Sequence, residues 1–167
     1  MGQKKTEAKV LYQQEIADGI FDMWMETDLA QTAKAGQFLS VYPRNGGTLL
    51  PRPISICEAD REAGRVRIVY RVAGKGTAEL SGYHVNRKVN VLGNLGNGFP
   101  LEAAEGKRVF LTGGGIGIPP MLQLAKDLRQ EGKAESGAVI VGYRDHQLFL
   151  KEDLEKYARV YVATEDG

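Results

Sequence analysis

Residues 65–77 run Arg65-Val66-Arg67-Ile68-Val69-Tyr70-Arg71-Val72-Ala73-Gly74-Lys75-Gly76-Thr77, and the period of two in the first eight decides the class of fold. Val66, Ile68, Tyr70 and Val72 fall on one side of an extended strand, so that side is expected to face a core. Outward from it lie five more short runs, at residues 10–16, 20–26, 37–42, 54–58 and 88–92. Turn residues and one short helical segment, 77–83, separate them. Six strands spaced in this way predict a small closed antiparallel barrel rather than a βαβ array.

Near residue 105 the pattern changes. Arg108-Val109-Phe110-Leu111-Thr112 is a near-continuous apolar run, as expected of a parallel strand covered on both faces. A glycine cluster follows, then a helix over 120–130 ended by Gly132, then the run Ala138-Val139-Ile140-Val141-Gly142-Tyr143. This is strand, turn, helix, strand. A further helix over 151–157 leads to an apolar strand at 160–163 and to Thr164-Glu165-Asp166-Gly167. The expected organisation is a barrel over 1–104 followed by a partial parallel α/β unit over 105–167. A doubly wound nucleotide-binding domain uses five or six strands, and three are present, so the sequence reads as a fragment.

Composition narrows the function. The 167 residues are 43% hydrophobic and 26% charged, and 22 Lys+Arg against 21 Asp+Glu leave a formal charge of +1. No basic tract marks a nucleic-acid surface, and no apolar run approaches the ~20 residues that span a bilayer. The pair Lys4-Lys5 reads as a solvated N-terminus. Cys57 is the one cysteine, which excludes an internal disulfide and, with only His84 and His146 beside it, a metal or iron–sulfur site within these residues. A reducing cytoplasm fits that count. Glycine is in excess, 21 of 167, and the excess is not repetitive, so it points to tight turns of the kind that hold phosphates.

Two constellations carry chemistry. The first is Arg52-Pro53-Ile54-Ser55, then Val69-Tyr70-Arg71, then Gly74-Lys75-Gly76-Thr77 opening a helix. An arginine offers a two-pronged donor to a diphosphate, and glycines at a helix start let backbone N–H groups approach an anion. A hydrogen bond to a charged group contributes about 1.5–3 kcal/mol and an exposed helix terminus about 0.3–1 kcal/mol, so Arg52 is expected to dominate. The plain alternative is a solvated arginine beside an ordinary turn capped by Thr77. The second constellation is Thr112-Gly113-Gly114-Gly115-Ile116-Gly117-Ile118-Pro119-Pro120. It is not GxGxxG, because Ile118 stands in the third glycine's place. It does satisfy GxGxGxxP through Gly113, Gly115, Gly117 and Pro120, after a strand and at the start of a helix, where side-chain-free positions admit a dinucleotide. The alternative is a βα turn that needs glycine only for packing.

In order and spacing these segments resemble the flavin-binding barrel and nicotinamide-side turn of the ferredoxin–NADP reductase superfamily. Within it they resemble the electron-transfer subunits of class 1B dihydroorotate dehydrogenases. The signature arginine and serine fall on Arg52 and Ser55, with Ile54 where tyrosine is usual. The resemblance implies that Arg52 contacts the FAD pyrophosphate, that Pro53, Ile54 and Ser55 line the isoalloxazine with Ser55 near N5, and that Val69, Tyr70 and Arg71 run beside the flavin. It implies that Gly76 and Thr77 complete the diphosphate site and that Gly113, Gly115 and Gly117 receive NAD. The loop Gly93-Asn94-Leu95-Gly96-Asn97-Gly98-Phe99 resembles a family segment in which proline stands at the place of Asn94.

The resemblance further implies a cytoplasmic heterotetramer in which electrons cross from a separate FMN subunit, over a [2Fe–2S] cluster, to FAD and NAD+ in pyrimidine biosynthesis. The family's cluster cysteines lie in a C-terminal segment that these residues do not reach. FAD binding without the cluster, weak nicotinamide binding and impaired transfer to the FMN subunit are therefore expected. Two other readings share the motifs: another NAD(P)H-dependent flavin, ferredoxin or hydrogenase-type reductase subunit, and a non-catalytic docking module. Outside the motifs, Cys57 lies on the strand face of Ser55 and reads as a small buried thiol. His84 and His146 read as surface residues. Phe21, Met23 and Met25 read as one core face, with Trp24 interrupting the polar side, and Glu165-Asp166 follow the last strand where the family has an acidic loop near the nucleotide.

Overall fold

The computed structural model describes residues 5–43, 50–134 and 136–166; Lys4 and Gly167 lie outside them. The first six strands are β1 (Lys5–Ala17), β2 (Ile20–Glu26), β3 (Phe38–Tyr42), β4 (Arg52–Asp60), β5 (Arg65–Arg71) and β6 (Lys88–Leu95), with helix α1 (Lys75–Ser81) between the last two. They form the expected closed barrel, in the order β1-β2-β5-β4-β3-β6. Closure explains why β1 is longer than the expected run at 10–16. Its residues 5–9 pair with β6 while residues 9–17 pair with β2, so one strand serves two neighbours.

The alternation at 65–72 sorts side chains as expected. Val66, Ile68 and Tyr70 join Met23, Met25 and Leu39 in the buried barrel core, with Val72 packed against it. Each fully buried aliphatic of this size contributes about 1.5–3 kcal/mol. Helix α1 begins at Lys75 rather than at residue 77 and lays Leu80 across the barrel end. The Lys5 ammonium sits 3.9 Å from the centroid of the Tyr42 ring.

Strand β7 (Arg108–Gly114), helix α2 (Pro119–Glu131), β8 (Ser136–Tyr143), α3 (Lys151–Glu155) and β9 (Arg159–Thr164) follow. The three strands are parallel, in the order β7-β8-β9. Helix α2 carries prolines at its first two positions and stops at Gly132, whose φ of 61° is the left-handed conformation that favours glycine at a helix C-terminus.

One expectation is corrected here: among the described residues the sheet is covered on one face, not two. Both helices pack on the side of Leu111, Val139 and Val141. The opposite side leaves Phe110 59%, Ile140 40% and Tyr161 50% exposed. A near-continuous apolar run marks apolar residues on both sides of a strand; it does not supply the second layer that would bury them.

Barrel and sheet share a second apolar cluster, in which Ile20, Cys57 and Val69 of the barrel meet Ile118, Met121 and Leu122. Polar contacts reinforce it. Ala59 N–H donates to Gln123 Oε1 at 2.7 Å, and Lys126 pairs with Glu58 at 2.9 Å. The Arg67 guanidinium donates to both oxygens of buried Asp22, at 2.9 and 2.8 Å, and to Asp153 on α3 at 3.1 Å. Among the described residues, no helix is long and apolar enough to cross a membrane.

Candidate functional site

Where β4 and β5 begin to diverge, the barrel wall opens. Their register runs from Asp60 opposite Arg65 to Ile56 opposite Ile68 and stops there. Beyond it, residues 52–55 stay paired only with β3, and residues 69–71 only with β2. Over these residues the two strands are not paired with each other, which leaves a slot between them.

Arg52 stands at the outer end of this slot. A Cβ built on Gly76 would lie 2.4 Å from Arg52 Nε and 3.0 Å from its Cζ, so the guanidinium rests directly on the first turn of α1, where any larger residue would displace it. Among the described residues its one hydrogen bond is a long one, 3.4 Å from Nη1 to the neighbouring Pro51 carbonyl. A charged fork held in place by packing and left without a carboxylate suits an anion. Thr77 serves the local structure. Its hydroxyl accepts from Ala73 N–H at 2.8 Å and donates to the Gly74 carbonyl at 3.1 Å, tying down the corner before α1. It therefore does not act as the helix N-cap, which is Gly74.

The other expected residues divide by strand face. Ile54 points into the barrel core, whereas Pro53 and Ser55 face outward beside the slot. Tyr70 is turned inward as well. Its ring stacks on Phe21, with centroids 5.9 Å apart, and its hydroxyl donates to Gln13 Oε1 at 2.7 Å. Val69 is buried in the cluster shared by barrel and sheet. Of the triplet 69–71, only Arg71 projects an exposed side chain.

That side chain reaches the second glycine turn. A Cβ on Gly115 would lie 3.4 Å from Arg71 Nη2, so the two constellations meet. Within the turn the glycines have separate reasons. Gly113 is needed for packing, since its Cβ would lie 2.9 Å from the Gly117 carbonyl oxygen, and Gly115 adopts φ +52°. Gly117 has ordinary φ, and its Cβ would meet nothing within 4 Å. The packing explanation accounts for Gly113 and Gly115 but leaves Gly117 as open space beside the turn.

Three features are not visible in the sequence pattern. Gln13 clamps α1 onto the barrel, its Nε2 donating to the carbonyls of Leu80, Ser81 and Tyr83 at 3.0, 3.1 and 2.8 Å. Asn94, near the end of β6, ties that strand to the 29–32 segment, its Nδ2 donating to Leu29 O at 3.0 Å and Thr32 Oγ1 at 3.1 Å. The Arg67 cluster is hidden because Arg67 has the same place in the alternation as Arg65. The two arginines bracket half-buried Trp24, at 4.8 and 5.8 Å from its ring centroid.

Cys57 is wholly buried, and burial pushes its thiol pKa well up, against the lowering influence of Arg67. His84 and His146 are exposed. Glu165 N–H donates to the Tyr143 carbonyl at 3.2 Å, and Asp166 is exposed. No group of His, Cys, Asp and Glu among the described residues could hold a metal ion.

No family model matches the chain. It is 40% identical over 164 residues to the electron transfer subunit of dihydroorotate dehydrogenase B (NAD(+)) from Streptococcus mutans, covering 98% of this chain and 63% of that protein. To the protein of the same name from Listeria welshimeri it is 38% identical over 165 residues, covering 98% and 64%. The chain thus spans somewhat under two thirds of the length of the curated relatives it matches. Among solved structures, the NADH-dependent reduced ferredoxin-NADP oxidoreductase superposes with TM-score 0.86 at 26% identity, over 100% of this chain and 59% of that one. A ferredoxin NADP+ reductase from Neisseria gonorrhoeae with bound FAD and NADP superposes with TM-score 0.82 at 19% identity, over 99% and 70%, a likeness of fold.

Proposed function

Because the chain belongs to the family of the dihydroorotate dehydrogenase B (NAD(+)) electron transfer subunits, we propose that it holds FAD in the β4–β5 slot and a pyridine dinucleotide at the β7–α2 turn. By this reading it passes electrons between a separate dihydroorotate-oxidising FMN subunit and NAD+. The observation that carries the reading is the Arg52 guanidinium lying on Gly76 at the mouth of an opened barrel wall. Bound at these places, FAD would supply one- and two-electron redox chemistry and the dinucleotide would accept or give hydride.

The chain's own residues bind and orient. Arg52 neutralises the flavin diphosphate, and Gly76 gives the guanidinium its seat. Thr77 and Gln13 keep α1 in register with the slot. Pro53 and Ser55 border one side of the slot and the Ser55 hydroxyl offers it a donor, while the backbone of Val69 and Tyr70 borders the other. Gly113 lets the second turn close and Gly117 leaves room beside it. An iron–sulfur cluster takes several thiolates; these 167 residues contain one cysteine, buried Cys57, and provide no cluster site.

Reconstitution tests the reading. Purified chain incubated with FAD and passed through a desalting column is expected to retain about one flavin per chain, seen in its visible absorption, and NADH is expected to bleach that band. Protein that emerges colourless would overturn the proposal in favour of a docking module.

A further inference from the structure

The start of a helix ordinarily offers its first four N–H groups to an anion. At α2 none of the four is available. Pro119 and Pro120 have no N–H. The Ile118 N–H is spent on the Gly115 carbonyl at 3.1 Å, and the Met121 N–H on the Ile118 carbonyl at 2.9 Å. The start of α2 has thus lost the donors that helix termini commonly use, and a full positive charge beside the turn must come from a side chain.

Arg71 supplies it. It is the last residue of β5, exposed, and the described residues give its side chain neither a hydrogen bond nor an ion pair. Its Nη2 lies over Gly115, across the junction from the strand that carries it and next to the open space at Gly117. Nothing in the barrel requires a guanidinium there, since Val69 and Tyr70 anchor the same strand by apolar burial.

We propose that Arg71 is a positioning residue for the second nucleotide, its guanidinium gripping the diphosphate of the pyridine dinucleotide in place of the α2 N-terminus. This assigns its side chain away from the flavin and makes the barrel contribute to a site that otherwise belongs to the parallel sheet. The inference rests on the reading of the β7–α2 turn given under the proposed function.

Calorimetric titration of the chain, with and without FAD, tests it using three probes: NADH, ADP-ribose, which keeps the diphosphate, and nicotinamide mononucleotide, which lacks it. Arg71→Gln is expected to raise the Kd of NADH and ADP-ribose about ten- to hundredfold, the loss of one charge-assisted contact. The mononucleotide is expected to change by less than about twofold, and Arg71→Lys to recover part of the loss, because an ammonium keeps the charge without the fork. Equal losses for all three probes would overturn the proposal, as would unchanged NADH binding with diminished FAD retention. Wild-type chain that holds FAD but no NADH or ADP-ribose would overturn this inference alone; chain that binds ADP-ribose through Arg71 but no FAD would overturn the flavin reading and leave this one standing.

Discussion

The guanidinium of Arg52 and the backbone of Gly76 are in contact, with the position of a Cβ at residue 76 only 2.4 Å from Arg52 Nε. Residues 24 apart in sequence are joined by the fold into one seat for an anion. Gly76→Ala separates the site's stability from its binding. Alanine is favoured over glycine at helical positions, by up to about 1 kcal/mol in a helix interior and less in the first turn where Gly76 lies, and the displaced atoms belong to a flexible side chain. The melting temperature of the flavin-free chain should hold or rise while FAD affinity falls about tenfold. A flavin titration beside a thermal melt reads both, and unchanged affinity would show that Arg52 does not need this seat.

Arg52→Ala should weaken FAD binding by ~1.5–3 kcal/mol, the scale of a hydrogen bond to a charged group. The fold should survive, because the side chain's one hydrogen bond among the described residues is the long contact to Pro51 O. Circular dichroism and fluorescence quenching by flavin together check this; a folded variant with wild-type affinity would remove Arg52 from the site.

The glycines of the second turn should behave differently from one another. Gly113→Ala drives a Cβ to 2.9 Å from the Gly117 carbonyl oxygen, against backbone that cannot yield cheaply, and should lower the melting temperature. Gly117→Ala meets nothing within 4 Å, so the fold should be indifferent and NADH affinity should fall. Melting curves and NADH titrations of the two variants in parallel distinguish a packing turn from a binding turn.

Arg67 joins three elements, and its loss should be expensive. Arg67→Met leaves Asp22, whose side chain is 7% exposed, without its bidentate partner; breaking a buried pair in this way costs about 3–5 kcal/mol. The contact to α3 should also depend on pH. Burial alone would raise the Asp153 pKa, but Lys156 and Arg67 outweigh it and hold the carboxyl below the usual aspartate range. A depressed carboxyl contributes stability that is present above its unfolded pKa of about 3.9 and is lost as pH falls through the lower folded value. Trp24 fluorescence should report an acid transition that shifts in Arg67→Met; an unchanged acid limb would exclude Asp153 as its source.

Asp127 should show the opposite sign. It is buried beside Gln123, whose Nε2 donates to Asp127 Oδ1 at 2.6 Å, and burial raises its pKa. Its charge therefore works against the fold at neutral pH. Asp127→Asn keeps an acceptor for Gln123 and should raise the melting temperature at pH 7, with the gain shrinking as pH falls into the carboxylate range. A loss of stability at pH 7 would show that the charge is needed there.

Much of the architecture is legible without coordinates, for identifiable reasons. The alternation at 65–72 and the turn residues between short runs mark half-buried strands, and six of them have one compact solution, a closed barrel. The glycines of 113–117 before two prolines mark a βα turn as plainly, since few other sequences can make so tight a bend into a helix. Strand ends are less legible: β1 and β4 extend beyond their apolar cores because neighbouring strands, not their own residues, provide the hydrogen bonds at positions 5–9 and 52–53.

The site divides along the same line. Sequence alone determined which residues could serve an anion, namely Arg52, Arg71 and the two glycine bends, because charge and missing side chains are properties of a residue by itself. Which anion each cation faces was decided only in three dimensions. The direction of a side chain depends on the face of its strand and on what has packed against that face: Tyr70 was turned into the barrel core, Val69 into the cluster shared with the sheet, and Arg71 over Gly115. The Arg67 cluster and the Gln13 clamp are of the same kind, since Asp22 and Asp153 lie 45 and 86 residues from Arg67 and the partners of Gln13 lie 57 to 70 residues away, and no local pattern encodes a meeting at such separations.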